Sequence, residues 1–249
     1  MRRLATYAVV FLAGFMAFLV AFAPAATIWQ FARADVQKRL PNLQVLSVDG
    51  TIWSGSANIR YWNFPPTDVR WSIAPLSLLH ARLDLKTVAS GDYIHLETNA
   101  RIARDRIDAL TDGYVESPWI NPVSTNYGLK YSGRLTVDSL ALVSDFRWFS
   151  KAAGKLHWNG GQVVYQTARG PQGIQLPAMD GTLHEDGGNL NLDITQAART
   201  LIAITLRRTG WVKVDIKAGL MEAANLPWPP GESRGDTALM LEEQLFPAR

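Results

Sequence analysis

Past residue 40, apolar and polar residues alternate along several short segments of the chain. Residues 68–73, for example, read Asp-Val-Arg-Trp-Ser-Ile, so Val69, Trp71 and Ile73 fall on alternate positions. Successive side chains of a β-strand point to opposite faces of a sheet, and such runs therefore predict half-buried strands. The same period of two recurs in residues 81–86, 190–195, 202–207 and 212–217. One face of the predicted sheet meets a core and the other meets water, which is common in antiparallel sheets.

Turn sequences rich in glycine and proline separate the predicted strands. They lie at residues 49–50, 65–66, 159–161, 180–181 and 186–188. We therefore predict a mainly β fold, with an antiparallel β-sheet domain over residues 43–220 that forms a curved sheet or a two-layer meander. Residues 102–110 are expected to form a short helix. The tail at 221–249 is rich in proline and charge and is expected to be extended or disordered.

A short sequence recurs within the predicted β domain. Trp53-Ser54-Gly55 resembles Trp158-Asn159-Gly160, and each precedes a run of alternating apolar residues. Two related β-meander halves, each opened by a Trp-x-Gly turn, would explain this likeness. Chance would explain it as well.

Before the β pattern begins, residues 4–26 contain no charged residue. A helix of that length spans roughly 35 Å, which is enough for the hydrocarbon core of a bilayer. Its Leu, Val and Phe residues together favour insertion by on the order of 3–6 kcal/mol. We therefore predict a membrane anchor at residues 4–28, followed by a linker or helix extension at residues 29–42.

The flanks of this segment predict its orientation. Arg2 and Arg3 precede it, and positive charges on a short tail stay in the cytoplasm. Residues 1–3 are then a cytoplasmic tail, and the bulk of the chain is periplasmic, held by a single span in the inner membrane. The alternative is a cleaved signal peptide, because Ala23-Pro24-Ala25 has the small-x-small form of a cleavage site. Whether the segment is an uncleaved anchor or a cleaved signal peptide, the domain is expected to be exported.

The net charge of +3 does not indicate a polyanionic partner. Without Arg2 and Arg3 the chain carries 23 basic and 22 acidic side chains, and no later segment gathers Lys and Arg. Nucleic-acid binding requires a basic excess on one surface, so no nucleic-acid partner is predicted. The chain has no cysteine, which excludes disulfides, thiolate metal sites and cysteine nucleophiles.

No catalytic, metal or cofactor site is predicted. The four histidines, His80, His95, His157 and His184, show no ligand-pair spacing, although His95 can share a strand face with Glu97 and His184 with Asp186. The chain contains neither a nucleophile elbow nor a phosphate-binding loop, and no small-molecule substrate is predicted. Seven of the nine tryptophans fall in the β region and are interpreted chiefly as core and sheet packing, with a hydrophobic groove for lipid or a partner strand as the alternative. They are Trp53, Trp62, Trp71, Trp119, Trp148, Trp158 and Trp211.

Three segments resemble a known family. Residues 48–57 read Val-Asp-Gly-Thr-Ile-Trp-Ser-Gly-Ser-Ala, residues 71–79 read Trp-Ser-Ile-Ala-Pro-Leu-Ser-Leu-Leu, and residues 154–161 read Gly-Lys-Leu-His-Trp-Asn-Gly-Gly. Together with the N-terminal anchor they resemble protein N of the general secretory pathway, from type II secretion systems. The resemblance covers residue 1 to about 220. The residues that carry it are Gly50, Thr51, Trp53, Gly55, Trp71, Pro75, Leu79, Trp158 and Gly160.

The resemblance implies a non-enzymatic subunit of the machinery that moves folded proteins across the outer membrane of Gram-negative bacteria. It implies other inner-membrane secretion subunits and membrane lipid as partners, and it transfers no catalytic residue. Physically, Gly50 is expected to close a turn, Gly55 to sit where a Cβ would not fit, and Trp53 to plug the core beside that turn. The alternative hypothesis is a periplasmic β-groove protein that binds lipid or transfers it between membranes. In that case large apolar residues such as Trp71 and Leu83 would line an open trough.

Overall fold

The computed structural model describes residues 2–167, 170–226 and 235–244. Its helices are α1 (Arg2–Ala21), α2 (Ala25–Arg39), α3 (Ser117–Ser124) and α4 (Ala218–Ala223). Short 3₁₀ helices lie at Pro75–His80 and Thr125–Tyr127. Strands make up most of the remainder, so the fold is mainly β as the alternation predicts.

Sixteen strands occur among the described residues. The first eight are β1 (Leu43–Gly50), β2 (Ser54–Tyr61), β3 (Thr67–Ile73), β4 (Leu83–Gly91), β5 (Ile94–Ile102), β6 (Ile107–Glu116), β7 (Leu129–Tyr131) and β8 (Arg134–Ser144). The other eight are β9 (Phe149–Trp158), β10 (Gly161–Thr167), β11 (Gly170–Leu176), β12 (Met179–Asp186), β13 (Asn189–Gln196), β14 (Arg199–Leu206), β15 (Trp211–Lys217) and β16 (Thr237–Gln244).

Thirteen of these strands form one antiparallel sheet, which we call the main sheet. Its strand order is β1-β2-β3-β4-β5-β6-β8-β9-β12-β13-β14-β15-β16, so neighbours in space are almost always neighbours in sequence. The three strands left out form a second sheet in the order β11-β10-β7, which we call the small sheet. The main sheet is therefore one continuous meander, and the two related halves stay a prediction.

The predicted alternation places apolar residues on one face across the whole main sheet. One cross-strand row runs Val69, Ala89, Leu96, Gly113, Val137, Leu156, Gly181, Ile194, Ile202, Ile216 and Leu239. Positions between them in each strand, such as Lys155, Thr182 and Lys213, are on the opposite face. We call these the apolar face and the polar face.

A closely packed cluster lies where the small sheet meets the main sheet. The buried cluster there consists of Val163, Leu176, Met179, Leu201 and Ala224. Elsewhere most of the apolar face is half-buried, although Ile94 and Val115 are only 3% and 7% exposed, and among the described residues no large side chain is less than 2% exposed. The packed cluster therefore lies towards one end of a long sheet.

The N-terminal helical region is divided in two. α1 ends at Ala21 and α2 begins at Ala25, with Pro24 between them as the residue before α2. Pro24 also forms an isolated antiparallel bridge with Thr51. Among the residues that the structure describes, no helix is both long and apolar enough to cross a membrane. The anchor at residues 4–28 therefore stays a prediction.

Two local predictions are wrong. Residues 102–110 are no helix, because Ile102 ends β5 and pairs with Ile107 at the start of β6. Ala81 lies outside β4, since its φ of +52° places it in the left-handed region at the end of the 3₁₀ helix. Within the tail, Thr237–Gln244 is extended, as β16 paired with β15. Residues 227–234 and 245–249 lie outside the described part of the chain.

Candidate functional site

The first family-like segment forms the turn between β1 and β2, residues 50–55, which we call the signature turn. Gly50 ends β1 with a φ of +87°, a conformation that glycine adopts without strain. The Thr51 hydroxyl oxygen accepts hydrogen bonds from the backbone N–H groups of Trp53 (3.3 Å) and Ser54 (3.2 Å). These contacts fix the turn from within its own sequence.

The signature turn holds the end of the N-terminal helix. The Trp53 indole N–H donates to the backbone carbonyl of Val20 at 2.9 Å, and the Ile52 N–H donates to the carbonyl of Ala23 at 3.1 Å. Val20 lies in the last turn of α1, and its carbonyl also accepts from the Ala23 N–H at 3.4 Å, whereas Ala23 follows the helix. The two bonds therefore fix the last turn of α1 and the residues directly after it. Trp53 is half-buried, and its indole reaches the helix rather than plugging the core.

Trp71 supports the same turn from the neighbouring strand. Its indole N–H donates to the Ile52 carbonyl at 3.2 Å, and its ring covers Gly55. A Cβ on Gly55 would lie 2.5 Å from the Trp71 ring and 2.4 Å from the Asp49 carbonyl oxygen. Gly55 is therefore required because two neighbours approach its backbone closely.

The second family-like segment ends in an exposed apolar knob, the 3₁₀ helix Pro75–His80. Leu76 and Leu79 are 75% and 81% exposed. Ser77 is buried and anchors the knob, because its hydroxyl donates to the Ala74 carbonyl at 2.6 Å and accepts from the Asp84 N–H at 3.1 Å. The sequence analysis did not single out Ser77, and no pattern in the chain marks it.

The third family-like segment, Trp158–Gly161, lies where the chain leaves the main sheet for the small one, and we call it the crossover turn. The Trp158 indole N–H donates to the Ser132 carbonyl at 3.0 Å. Gly160 and Gly161 have φ values of +81° and +150°, and a Cβ on Gly160 would lie 2.8 Å from backbone atoms of Pro177 and Ala178. The structure thus brings Trp158 together with the small sheet, far along the strand order from the signature turn.

A cavity of about 470 Å³ lies between the two sheets, beside the crossover turn. The main sheet contributes one wall, including Leu156, Leu192, Ile204, Val214 and Leu241. The small sheet and α3 contribute the other, including Ile120, Leu129, Tyr131 and Val163. Asn121 of α3 holds β7 in place, since its side chain exchanges hydrogen bonds with the backbone of Tyr131 (2.8 and 3.0 Å).

Tyr131 is the one titratable residue in the cavity lining, as far as the described residues go. Burial raises the pKa of its hydroxyl, so it stays neutral at physiological pH. No Asp, Glu, Lys, Arg or His lines the cavity there. The cavity is therefore apolar and uncharged.

Charged groups lie on the polar face and in loops instead. A hydrogen bond to Glu116 raises the pKa of Arg134, and the N–H groups of Trp148 and Arg147 lower the pKa of Asp145. His157 lies 2.7 Å from Asp180, and His95 lies 3.2 Å from Glu97 on the strand face that the sequence predicts for both. His184 lies 3.8 Å from Asp193 of β13, and it shares its strand face with Asp186, two residues along β12.

These charged contacts are pairs. Within the described residues, no three His, Asp or Glu side chains gather into a group that could hold a metal ion. The polar face therefore offers no geometry for a metal centre there.

Comparison with known proteins gives one match. Residues 41–227, more than half of the chain, match the model of the family described as type II secretion system (T2SS), protein N. No curated protein and no solved structure matches.

Proposed function

The chain belongs to the protein N family of type II secretion systems, and we propose that it is an inner-membrane-anchored periplasmic subunit of such a system. In this role it supports assembly of the machinery or export across the outer membrane, without catalysis. It acts together with other secretion subunits in the inner membrane. The main support for the proposal is the contact between the signature turn and α1. The signature turn is the segment most typical of the family, and it holds the main sheet against this apolar helix.

Exposed apolar side chains around this joint support membrane anchoring. Phe18 and Phe22 are exposed at the end of α1, with ring centroids 4.7 Å apart. The Leu76–Leu79 knob begins near the same place, since the Ile73 N–H donates to the Trp53 carbonyl at 2.6 Å. Exposed apolar groups that cluster in this way mark surfaces that contact lipid or a partner.

Two genetic changes in the bacterium that encodes the chain test the proposal: deletion of the gene, and replacement of the N-terminal segment. Deletion of the gene is expected to abolish or strongly reduce secretion of type II substrates, and the full chain is expected to restore it. A chain whose residues 1–28 are replaced by a cleavable signal peptide is expected to reach the periplasm folded without restoring secretion. Intact secretion after deletion would refute the secretion role, whereas full rescue by the unanchored chain would refute only the anchoring.

Topology has a direct test because the chain has no cysteine. A single cysteine at exposed Asp92 (Asp92→Cys) is expected to react with a membrane-impermeant maleimide added to intact spheroplasts. The matched variant Arg3→Cys is expected to react only after the membrane is permeabilised. The reverse pattern would place the bulk of the chain in the cytoplasm.

A second function, binding or transfer of lipid by a β-groove, is favoured by the half-buried apolar face. Trp71 and Leu83 are both half-buried. Their exposure is intermediate between that of residues in a packed core and that of residues lining an open trough. Native mass spectrometry of the purified full chain is the measurement that separates the two functions, through co-purified phospholipid.

A further inference from the structure

We propose that the cavity between the main and small sheets binds one acyl chain of a membrane phospholipid. The proposal rests on the second function above, since it identifies where a lipid-binding protein of this fold holds its ligand. It requires neither membrane anchoring nor a role in secretion.

Water is a poor occupant of this cavity. A volume of 470 Å³ corresponds to about sixteen waters at the roughly 30 Å³ that each occupies in the liquid. Each buried water needs two to four polar partners. The polar side chains of the lining are Ser117, Tyr131 and Ser132, which are too few for a hydrogen-bonded cluster.

A peptide is a poor occupant as well. The wall strands β12, β13, β14 and β15 are each paired on both sides, so their backbone groups already bond within the sheet. A segment lying along these strands would bring N–H and C=O groups that find no partner in the main-sheet wall, and burying such groups unpaired is costly. At β7, an edge strand of the small sheet, the Asn121 side chain already bonds to the N–H and C=O of Tyr131. An occupant that carries no polar groups along its length avoids this cost.

The size and opening of the cavity fit an acyl chain. Its volume lies within the range of small-molecule sites, which are mostly apolar with few polar groups. The lining residue Leu241 on β16 is 52% exposed, and its neighbour Leu239 on the apolar face is 45% exposed. The cavity is therefore open at the edge strand, where a headgroup can remain in water while one chain lies between the sheets.

Photo-crosslinking of the full chain in cells tests this assignment. A diazirine amino acid is placed either at Ile204, in the cavity wall, or at Thr182, on the polar face of the same sheet. With phosphate-labelled lipids, irradiation is expected to give at least tenfold more phospholipid adduct at residue 204 than at residue 182. Equal yields, or protein adducts in place of phospholipid at residue 204, would overturn the proposal.

A variant whose cavity is filled by a larger side chain provides a second test of the proposal. With the diazirine at Leu192, the substitution Ile204→Trp is expected to lower the adduct at least fivefold, because the indole occupies the cavity. Leu206→Trp, on the same strand and face but outside the lining, should leave the adduct unchanged. Retained protease resistance shows that each variant is folded, and an undiminished adduct in folded Ile204→Trp would also refute the site. The secretion assay above does not depend on this crosslinking result. A negative crosslinking result would refute lipid binding in the cavity and leave the secretion role standing, and a negative secretion assay would do the reverse.

Discussion

The two Trp-x-Gly turns are alike in sequence, but they join different parts of the molecule. In the signature turn, the Trp53 indole bonds to Val20 and connects a helix to the first hairpin. In the crossover turn, the Trp158 indole bonds to Ser132 and connects the main sheet to the small one. In both, a tryptophan N–H satisfies a backbone carbonyl from a segment distant in sequence.

The residues after each tryptophan account for the difference. Gly55 has an ordinary backbone conformation and pairs back onto Gly50, so β2 stays in the main sheet. Gly160 and Gly161 both have positive φ, and the chain turns out of the main sheet towards β10. The same anchoring contact thus serves a hairpin in one place and a sheet-to-sheet crossing in the other.

The largest expected difference follows from removing each tryptophan in turn. Trp158→Ala is expected to cost about 3 kcal/mol, because it removes a ring from the cavity wall where the two sheets meet. Trp53→Ala is expected to cost about 1–2 kcal/mol, because its main loss is one hydrogen bond and edge packing. Thermal unfolding of the full chain measures both, at about 2–4 °C per kcal/mol for a domain of this size.

Trp211→Ala is the control for loss of a tryptophan as such. Trp211 is 39% exposed at the start of β15, and its removal is expected to cost about 0.5 kcal/mol or less. Equal destabilisation by Trp53→Ala and Trp158→Ala would show that the two turns contribute equally to stability. That result would contradict the larger contribution expected from the crossover turn.

Much of the main sheet can be predicted from the sequence because strand alternation is a local pattern. Val212, Val214 and Ile216 share the apolar face in the structure, as their spacing predicts. The pattern misleads where apolar residues also fit a helix. Ile102 and Ile107 pair across a tight β5–β6 connection, closed by the Ala103 N–H bond to the Arg106 carbonyl (2.8 Å).

The small sheet, and with it the cavity, cannot be predicted from local patterns. β7 has only three residues, and Lys130 pairs with Val164, more than thirty residues away. No sequence pattern near residue 130 indicates that β7 pairs with β10. β16 was missed for a related reason, since residues 238–241 read Ala-Leu-Met-Leu without alternation and the strand is defined by its pairing with β15.

A smaller difference is expected between the two glycines. Gly160→Ala should cost about 2 kcal/mol, because a positive φ adds strain to the close contacts with Pro177 and Ala178. Gly55→Ala should cost slightly less, about 1.5 kcal/mol, because its backbone angle is tolerated and the Trp71 ring can tilt away, which leaves the 2.4 Å approach to the Asp49 carbonyl oxygen as the main cost. Gly187→Ala is the control for a positive φ with open space around it. Unfolding midpoints in the reverse order would show that close contact outweighs backbone strain.

The smallest expected effect isolates the bond between the signature turn and the helix. Trp53→Phe keeps an aromatic ring but removes the indole N–H that bonds to Val20, a loss of about 1 kcal/mol or roughly fivefold in local opening. The Ile52 N–H bonds to Ala23 in the same joint, so its hydrogen exchange should accelerate by about that factor while exchange in β12 is unchanged. Trp71→Phe is the matched variant, because it removes the bond to the Ile52 carbonyl and leaves the helix contact in place. Unaltered exchange at Ile52 in Trp53→Phe would mean that the indole bond does not hold the sheet to the helix, and the family-typical turn would then be only a hairpin.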